Sequence, residues 1–332
     1  MVNSESKKNL YLHVGMPKSG STAIQNFIAQ NQAALLKKGV VYPRLTQSTP
    51  GHHALASHYR KGGISWAEYL PKEEIFSEFR RLVHEHDAHS FIISSEAFWA
   101  SPYKDKLSSD LEKYNVRIIV FLRRQDEFLE AQFRQQVKVG NEIGPLDEFI
   151  ETWSKAMSFK DKLFQWEEYF GRQNIIVIPY NAKAWSKGAE GKLLEVMGIP
   201  YTQEFTASVV SNISLNRASL KYILQTRNKK NMGKDDEEKL VTLLEEFSKE
   251  EKKQGKKEFI FSEGQRRMIV SKFHDDNCEI AARYLNNEQS NLFEDFVHPH
   301  ESDEDFFAPL SLVETIKIER FLARNGFRAN DL

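Results

Sequence analysis

Apolar, β-branched segments recur along the first part of this chain, and they limit its fold more than any other feature. They do not alternate with polar residues, which is the character of strands buried on both faces of a parallel sheet. Segments with helical spacing of their apolar residues separate them. The predicted strands are residues 10–16, 91–95, 117–122 and 175–178, with a short extended piece at 40–43. This alternation predicts an α/β fold with a central parallel sheet covered by helices.

The predicted helices divide the chain into two parts. Those that separate the strands are residues 21–38, 73–86, 105–114, 125–137 and 158–170. Beyond residue 198, helices are predicted at residues 216–227, 236–252 and 263–285, with no convincing strand between them. We therefore predict an α/β core over residues 1–200 and a mainly helical C-terminal extension over residues 201–332, packed on that core.

Charge and cysteine content exclude several classes of protein. The 332 residues include 46 lysines and arginines and 47 aspartates and glutamates, a balance that gives no reason to expect nucleic acid as a partner. Cys278 is the only cysteine, so neither an intrachain disulfide nor a cysteine metal cluster can form. The N-terminal residues are polar, and no apolar stretch approaches the ~20 residues of a membrane span. We expect a cytoplasmic protein without an integral membrane segment.

Residues 15–22 (GMPKSGST) join the first predicted strand to the first predicted helix. A helix N-terminus has unpaired N–H groups and a partial positive charge, and both suit phosphate or sulfate oxygens. The two glycines allow a tight turn beside such an anion. Lys18 adds a full positive charge, and Ser21 and Thr22 add hydroxyl donors. This arrangement predicts a site for a phosphate-bearing cofactor in a three-layer fold of the P-loop type.

The same loop differs from the signature of nucleotide triphosphatases. Lys18 precedes Gly20, whereas the lysine of that signature follows the second glycine and precedes the Ser or Thr. Magnesium-dependent phosphoryl transfer also needs an acidic metal ligand at a strand end, and the predicted strand 117–122 is followed by Arg123 and Arg124. These differences weaken the hypothesis of a kinase or an ATPase.

The loop resembles the 5′-phosphosulfate loop of the sulfotransferases that use 3′-phosphoadenosine-5′-phosphosulfate, in a bacterial, carbohydrate-sulfotransferase-like branch. Arg123 is similar to the family's arginine that binds the 3′-phosphate, and Tyr180 to the aromatic residue near the adenine. A predicted helix at residues 192–197 continues this family pattern. The serine that accompanies that arginine is replaced by Ala131. The resemblance implies a donor site formed by Lys18, Ser19, Gly20, Ser21, Thr22, Arg123 and Tyr180.

Sulfuryl transfer to a hydroxyl needs a general base and a cation, and no metal. Lys18 is the candidate cation. Glu96 follows the predicted strand 91–95 at the position where cytosolic members of the family have a histidine, and it is one candidate base. His53, or its neighbour His52, in the loop 46–63 is the other, since histidine titrates near neutrality. Glu96 could instead cap a turn or pair with an arginine, and the histidines could bind the acceptor or be ordinary residues of the loop.

We therefore predict a sulfotransferase that moves a sulfuryl group from 3′-phosphoadenosine-5′-phosphosulfate to a hydroxyl acceptor. A small molecule, a glycan or another carbohydrate would serve as acceptor, and the aromatic residues Phe98, Trp99 and Tyr103 could contact it or pack beneath a loop. Two alternatives remain open at this point: a nucleotide-dependent, kinase-like phosphotransferase, and a non-catalytic nucleotide-binding protein.

Overall fold

A five-stranded parallel sheet forms the centre of the protein. The computed structural model describes residues 7–46, 49–64, 67–86, 88–141, 143–155, 157–181, 185–208, 214–229, 232–252, 259–285, 290–293 and 306–327. The strands are β1 (Asn9–His13), β2 (Val40–Val41), β3 (Ser90–Ser94), β4 (Asn115–Leu122) and β5 (Ile175–Pro179). They are ordered β2-β3-β1-β4-β5, and every neighbouring pair is parallel.

Helices follow the strands and make up most of the remaining regular structure. They are α1 (Ser21–Gln30), α2 (Gln32–Lys37), α3 (His53–Ser57), α4 (Lys72–Glu85), α5 (Lys104–Asp110), α6 (Gln125–Lys138), α7 (Leu146–Ser154), α8 (Phe159–Phe170), α9 (Gly188–Val196), α10 (Arg217–Lys229), α11 (Lys234–Lys252), α12 (Glu263–Lys272), α13 (His274–Tyr284) and α14 (Leu312–Arg324). A 3₁₀ turn at Glu96–Phe98 follows β3. The predicted fold class, an α/β protein with a parallel sheet and flanking helices, is confirmed.

The sheet is buried on both faces, as its apolar strands require. On one face, Ile92 and Phe121 belong to a core cluster with residues of α1 and α9, among them Ile24. Successive residues of a strand point to opposite faces. Phe91 therefore lies on the other face, where its ring packs edge-on against Phe79 of α4 at 6.4 Å. Helices on both faces make the three layers of the fold.

Two predicted helices are interrupted in the structure. The helix predicted at residues 21–38 breaks at Asn31, whose side-chain amide donates to the carbonyls of Phe27 and Thr206 and thereby competes with the helical pattern. The helix predicted at residues 263–285 breaks at Phe273, where φ is −108° and ψ is 11°. Periodicity continued through both breaks, so it could not show them.

Three helices were not predicted from the sequence. Helix α3 lies inside the segment 46–63 that was predicted as a loop, and α7 and α14 were missed entirely. Helix α3 has only five residues, too few for a periodic pattern to be recognised.

The described chain forms two compact units. One comprises Met1–Arg124, Ser158–Val210 and His274–Glu294 and contains the sheet; the other comprises Gln125–Met157, Ser211–Phe273 and Asp295–Leu332. In the second unit the ring of Phe133 packs against those of Phe149, Phe261 and Phe306, with centroids 5.1 to 6.3 Å apart. The division at residue 200 stays a prediction. Within the described residues, no helix has both the length and the apolar character that crossing a membrane requires.

Candidate active site

Two glycines shape the loop between β1 and α1. Gly15 has a φ of +46° and Gly20 a φ of +87°, both in the left-handed region that favours glycine. A Cβ on Gly20 would lie 3.1 Å from Cε2 of Tyr180 and 3.3 Å from Cβ of Ala189. Glycine at position 20 therefore lets the Tyr180 ring lie directly against the loop. Gly15 ends β1 at His13, earlier than predicted, because its φ is not that of a strand.

Lys18 also has left-handed backbone angles, with a φ of +63°. This conformation costs a residue with a side chain roughly 1–2 kcal/mol. Nη1 of Arg123 donates a hydrogen bond to the Lys18 carbonyl at 2.9 Å. Because Arg123 directly follows β4, the sheet edge holds the backbone of the loop at this residue, while the Lys18 side chain remains exposed.

The three hydroxyl groups of the loop have different environments. Ser19 is fully buried, and its hydroxyl donates to the carbonyl of Met16, so this side chain stabilises the turn. Ser21 is also buried, but its Oγ has no hydrogen-bond partner in the described part of the chain. Thr22 is exposed. Ser21 and Thr22 are therefore the hydroxyls that a ligand could engage.

The first turn of α1 is arranged to accept an anion. Gly20 at its N-terminus offers no side-chain cap, and the turn has no acidic residue. The N–H groups of a first turn have no partner within the helix and carry partial positive charge. An uncapped N-terminus behind a glycine-containing loop is a site at which a phosphate or sulfate binds well.

Arg123 and Tyr180 lie together on one side of the loop. The guanidinium carbon of Arg123 is 5.9 Å from the centroid of the Tyr180 ring, and the backbone N–H of Tyr180 donates to the Leu122 carbonyl at 2.7 Å. Trp185, which sequence reasoning missed, packs edge-on against Tyr180 at 5.5 Å. Its only sequence signal is its position shortly after a strand end. The parallel sheet thus places two predicted donor-binding residues beside the loop, at the carboxyl edge of the sheet.

The two candidate bases, Glu96 and His53, lie close to each other in the structure. Nδ1 of His53 is 2.8 Å from Oγ of Ser95, the residue before Glu96. Nε2 of Gln25 donates to Oε2 of Glu96 at 3.0 Å. A Cβ on Gly51 would lie 2.6 Å from Nε2 of His53 and 2.9 Å from the Gln25 amide. Gln25 therefore contacts Glu96 and lies on the same side of Gly51 as His53.

The electrostatics of this cluster follow from its burial. Desolvation lowers the pKa of His53, and the nearby Glu96 carboxylate acts in the opposite direction. Sequence reasoning missed Gln25, although its spacing from Ser21 places both on the same face of α1. The cluster can hold a carboxylate in a fixed orientation next to the loop at residues 15–22.

His52, the other histidine of the pair, holds the loop on the sheet. Its Nε2 donates to the carbonyl of Pro43 at 2.7 Å, and its Nδ1 accepts from the backbone N–H of Ser94 at 3.0 Å. Its own N–H donates to the Ser94 carbonyl at 2.8 Å. Burial lowers the pKa of His52 to about 4, so the ring is neutral with both nitrogens engaged. This geometry assigns His52 to structure.

The stability of the protein should fall on mild acidification because two buried histidines stay neutral. Burial lowers the pKa of His13 to about 3 and that of His52 to about 4, from an ordinary value of 6.5. Below pH 6.5 the unfolded chain takes up protons that the folded chain does not. The free energy of unfolding should thus be lower at pH 5 than at pH 7.5, by about 2 kcal/mol for each ring.

Urea titrations at the two pH values measure this effect. His13→Phe should reduce the difference between them, because one of the two rings can no longer take up a proton when the chain unfolds. The control is Ile24→Val, which alters the core without removing a titratable group and should leave the difference unchanged. An unaltered pH dependence in His13→Phe would show that this ring does not titrate on unfolding.

The aromatic residues after Glu96 pack in the core. Phe98 is fully buried and lies 6.2 Å from the ring of Tyr59, and Trp99 is buried against Phe159 at 6.5 Å. Tyr103 is less buried, with the Lys106 ammonium 4.5 Å from its ring centroid. Phe98 and Trp99 therefore support the loop, which was one of the two interpretations from the sequence.

No family model matches the chain. A protein of Archaeoglobus fulgidus, described only as uncharacterized, is 26% identical over 253 residues, which cover 72% of this chain and 67% of that one. In the described residues, no group of three or more His, Cys, Asp or Glu side chains could hold a metal ion.

Two solved structures are similar to this chain. One is the crystal structure of a sulfotransferase from Alicyclobacillus acidocaldarius, with 12% identity and a TM-score of 0.43 over 68% of this chain and 98% of that chain. The other is a sulfotransferase domain from the curacin biosynthetic pathway, with 14% identity and a TM-score of 0.37 over 60% of this chain and 76% of that chain. Because both identities are below 25% and both TM-scores are below 0.5, we infer the function of this chain from the residues of its own site.

Proposed function

We propose that this chain is a sulfotransferase that moves a sulfuryl group from 3′-phosphoadenosine-5′-phosphosulfate to a hydroxyl acceptor. One observation carries the proposal: the loop at residues 15–22, here called the anion loop, leads into the uncapped N-terminus of α1. Arg123 and Tyr180 lie on one side of it, and the cluster of Glu96, Gln25 and His53 lies close to Gly15. Open α/β sheets bind ligands at the carboxyl edge of their strands, and the anion loop, Glu96, Arg123 and Tyr180 follow strands at that edge. An acidic magnesium ligand, which a phosphotransferase would need, is replaced after β4 by Arg123.

In the proposed reaction the phosphosulfate group lies at the N-terminus of α1. The acceptor oxygen attacks sulfur in line with the bridging oxygen, forming one S–O bond while the bond to the phosphate breaks. The acceptor proton passes to a base, and adenosine 3′,5′-bisphosphate leaves with the bonding electrons. The ammonium of Lys18 and the N–H groups of α1 stabilise the negative charge that develops on the leaving phosphate.

Glu96 is the base in this proposal, and His53 positions the segment around it. Glu96 is partly exposed and one of its carboxylate oxygens is held by Gln25, so the side chain is both oriented and accessible to an acceptor. His53 is 5% exposed and its Nδ1 is engaged with Ser95. The acceptor class remains a hydroxyl-bearing small molecule or a carbohydrate, which a panel of acceptors would identify.

A thermal-shift titration tests the donor. We expect adenosine 3′,5′-bisphosphate at ~100 times its dissociation constant to stabilise the protein by about 2.7 kcal/mol, because the loop and Arg123 bind its two phosphates. ATP with magnesium should give no comparable shift. A shift with magnesium ATP and none with the bisphosphate would favour a kinase-like phosphotransferase over a sulfotransferase.

Replacing Lys18 should lower the rate of transfer without destabilising the fold. Lys18→Ala is expected to lower kcat by about 10²–10³, the effect of removing one group that stabilises developing charge, with the melting temperature nearly unchanged because the side chain is exposed. The control is Lys37→Ala, which removes the same charge from an exposed position in the last turn of α2. Equal turnover in the two variants would show that Lys18 takes no part in the reaction.

A further inference from the structure

Two buried polar atoms beneath the anion loop have no hydrogen-bond partner among the described residues. They are Nε2 of His13, a residue with no exposed surface at the end of β1, and Oγ of Ser21, a residue that is 5% exposed at the start of α1. Buried polar groups in proteins are nearly always paired. Two buried polar atoms without a partner in one region therefore need an explanation.

Both atoms pack closely against Gly15. A Cβ built on Gly15 would lie 2.8 Å from Oγ of Ser21 and 3.3 Å from Nε2 of His13. The third neighbour of that point is Cα of Glu96, at 3.4 Å. Glycine at position 15 thus allows these two unpaired polar atoms to pack close to each other, beside the backbone of the candidate base Glu96.

The surroundings of His13 make it a neutral hydrogen-bonding group in a fixed orientation. Its Nδ1 is 2.7 Å from Oγ of Ser94, the residue that is its partner in the β1–β3 register. Its ring packs edge-on against Phe121 at 5.6 Å. Because burial lowers its pKa to about 3, the ring is uncharged. When the Ser94 hydroxyl donates to Nδ1, Nε2 carries the proton and is a hydrogen-bond donor on the side of the ring near Gly15.

We propose that His13 and Ser21 form a buried two-donor subsite that binds an oxygen of the donor's 5′-phosphate, with Ser94 fixing the tautomer of His13. This inference rests on the proposed function and adds His13 to the groups that bind the anion. Two neutral donors converging beside a helix N-terminus suit an oxyanion, which accepts several hydrogen bonds and carries the negative charge that the helix end favours.

Calorimetric titration of variants with adenosine 3′,5′-bisphosphate tests the subsite. We expect His13→Phe, which keeps a ring against Phe121, and Ser21→Ala each to weaken binding about ten- to a hundredfold, the range for losing a hydrogen bond to a charged group. His13→Gln, which retains an N–H donor, should bind more tightly than His13→Phe. The control is His89→Phe, since His89 makes a similar contact with Ser90 at 2.7 Å but at the amino end of β3.

Melting temperatures measured without ligand separate binding from folding. Wild-type affinity in both His13→Phe and Ser21→Ala would overturn the subsite, as would equal weakening in His13→Phe and His13→Gln together with a fall in melting temperature. Inorganic phosphate serves as a second probe. If the wild type binds phosphate through His13 but not the bisphosphate, the proposed donor is wrong and the oxyanion subsite stands; if phosphate binding is independent of His13, the subsite itself is wrong.

Discussion

Replacing Glu96 by glutamine is expected to lower kcat by about 10²–10⁴, the usual contribution of a positioned general base. Glutamine keeps the size of the side chain and can still accept the hydrogen bond from Gln25, but it cannot take the acceptor's proton. The affinity for adenosine 3′,5′-bisphosphate should remain that of the wild type, because the base contacts the acceptor. Transfer rates with any hydroxyl acceptor that supports turnover, together with calorimetry, measure the two quantities.

His53→Asn decides between the two candidate bases. If Glu96 is the base, this variant should lose less activity than Glu96→Gln, because His53 only positions the segment through Ser95. The reverse order would make His53 the base and Glu96 its partner. Glu74→Gln is the matched control, since Glu74 is an exposed carboxylate in the first turn of α4 and should leave transfer unchanged. Loss of bisphosphate binding in Glu96→Gln would instead indicate a disturbed loop.

The fold could be predicted because its signals are local. Each buried strand is a short apolar run, and the loop at residues 15–22 is marked by its own glycines, lysine and hydroxyls. Parallel pairing then places the residues that follow β1, β3, β4 and β5 at one edge of the sheet. The family resemblance named Glu96, Arg123 and Tyr180 among these residues and implied their roles, and the structure supplies the contacts around them.

The contacts within the site could not be predicted, because they join residues far apart in the chain. His53 and Ser95 are 42 residues apart, and Gln25 and Glu96 are 71 residues apart. No periodicity reports such pairs. A role for His13 could not be predicted for a different reason. This residue lies inside an apolar strand, and only the structure shows that its Nε2 has no hydrogen-bond partner among the described residues. The sequence could indicate the edge of the sheet but not which side chains meet there.

The second unit also contains buried charged side chains whose partners lie far away in the sequence. Nη2 of Arg266 is 2.5 Å from Oδ2 of Asp126 and its Nη1 is 3.2 Å from Oε1 of Glu130. The guanidinium carbon also lies 3.9 Å above the ring of Phe259. Glu130 in turn accepts hydrogen bonds from the backbone N–H groups of residues 260 and 261. Arg266 and Asp126 are 140 residues apart, and nothing in the local sequence of either indicates this network.

Arg266→Met is expected to lower the free energy of unfolding by about 3–5 kcal/mol, because it leaves a buried carboxylate at Asp126 without its partner. The double variant Arg266→Met with Asp126→Leu should recover much of this loss, since it removes both charges while Glu130 keeps its backbone donors. The matched control is Arg267→Ala, which removes the neighbouring, exposed pair with Glu263 and should cost less than about 1 kcal/mol.

Urea titration gives these free energies, and hydrogen exchange in α12 reports the effect within the second unit. A cost for Arg266→Met as small as that for Arg267→Ala would mean that water reaches the pair and screens it. A double variant that is less stable than Arg266→Met would mean that Asp126 contributes through other contacts of α6. The expected order has the double variant between the wild type and Arg266→Met, because a buried charge is most costly when its partner alone has been removed.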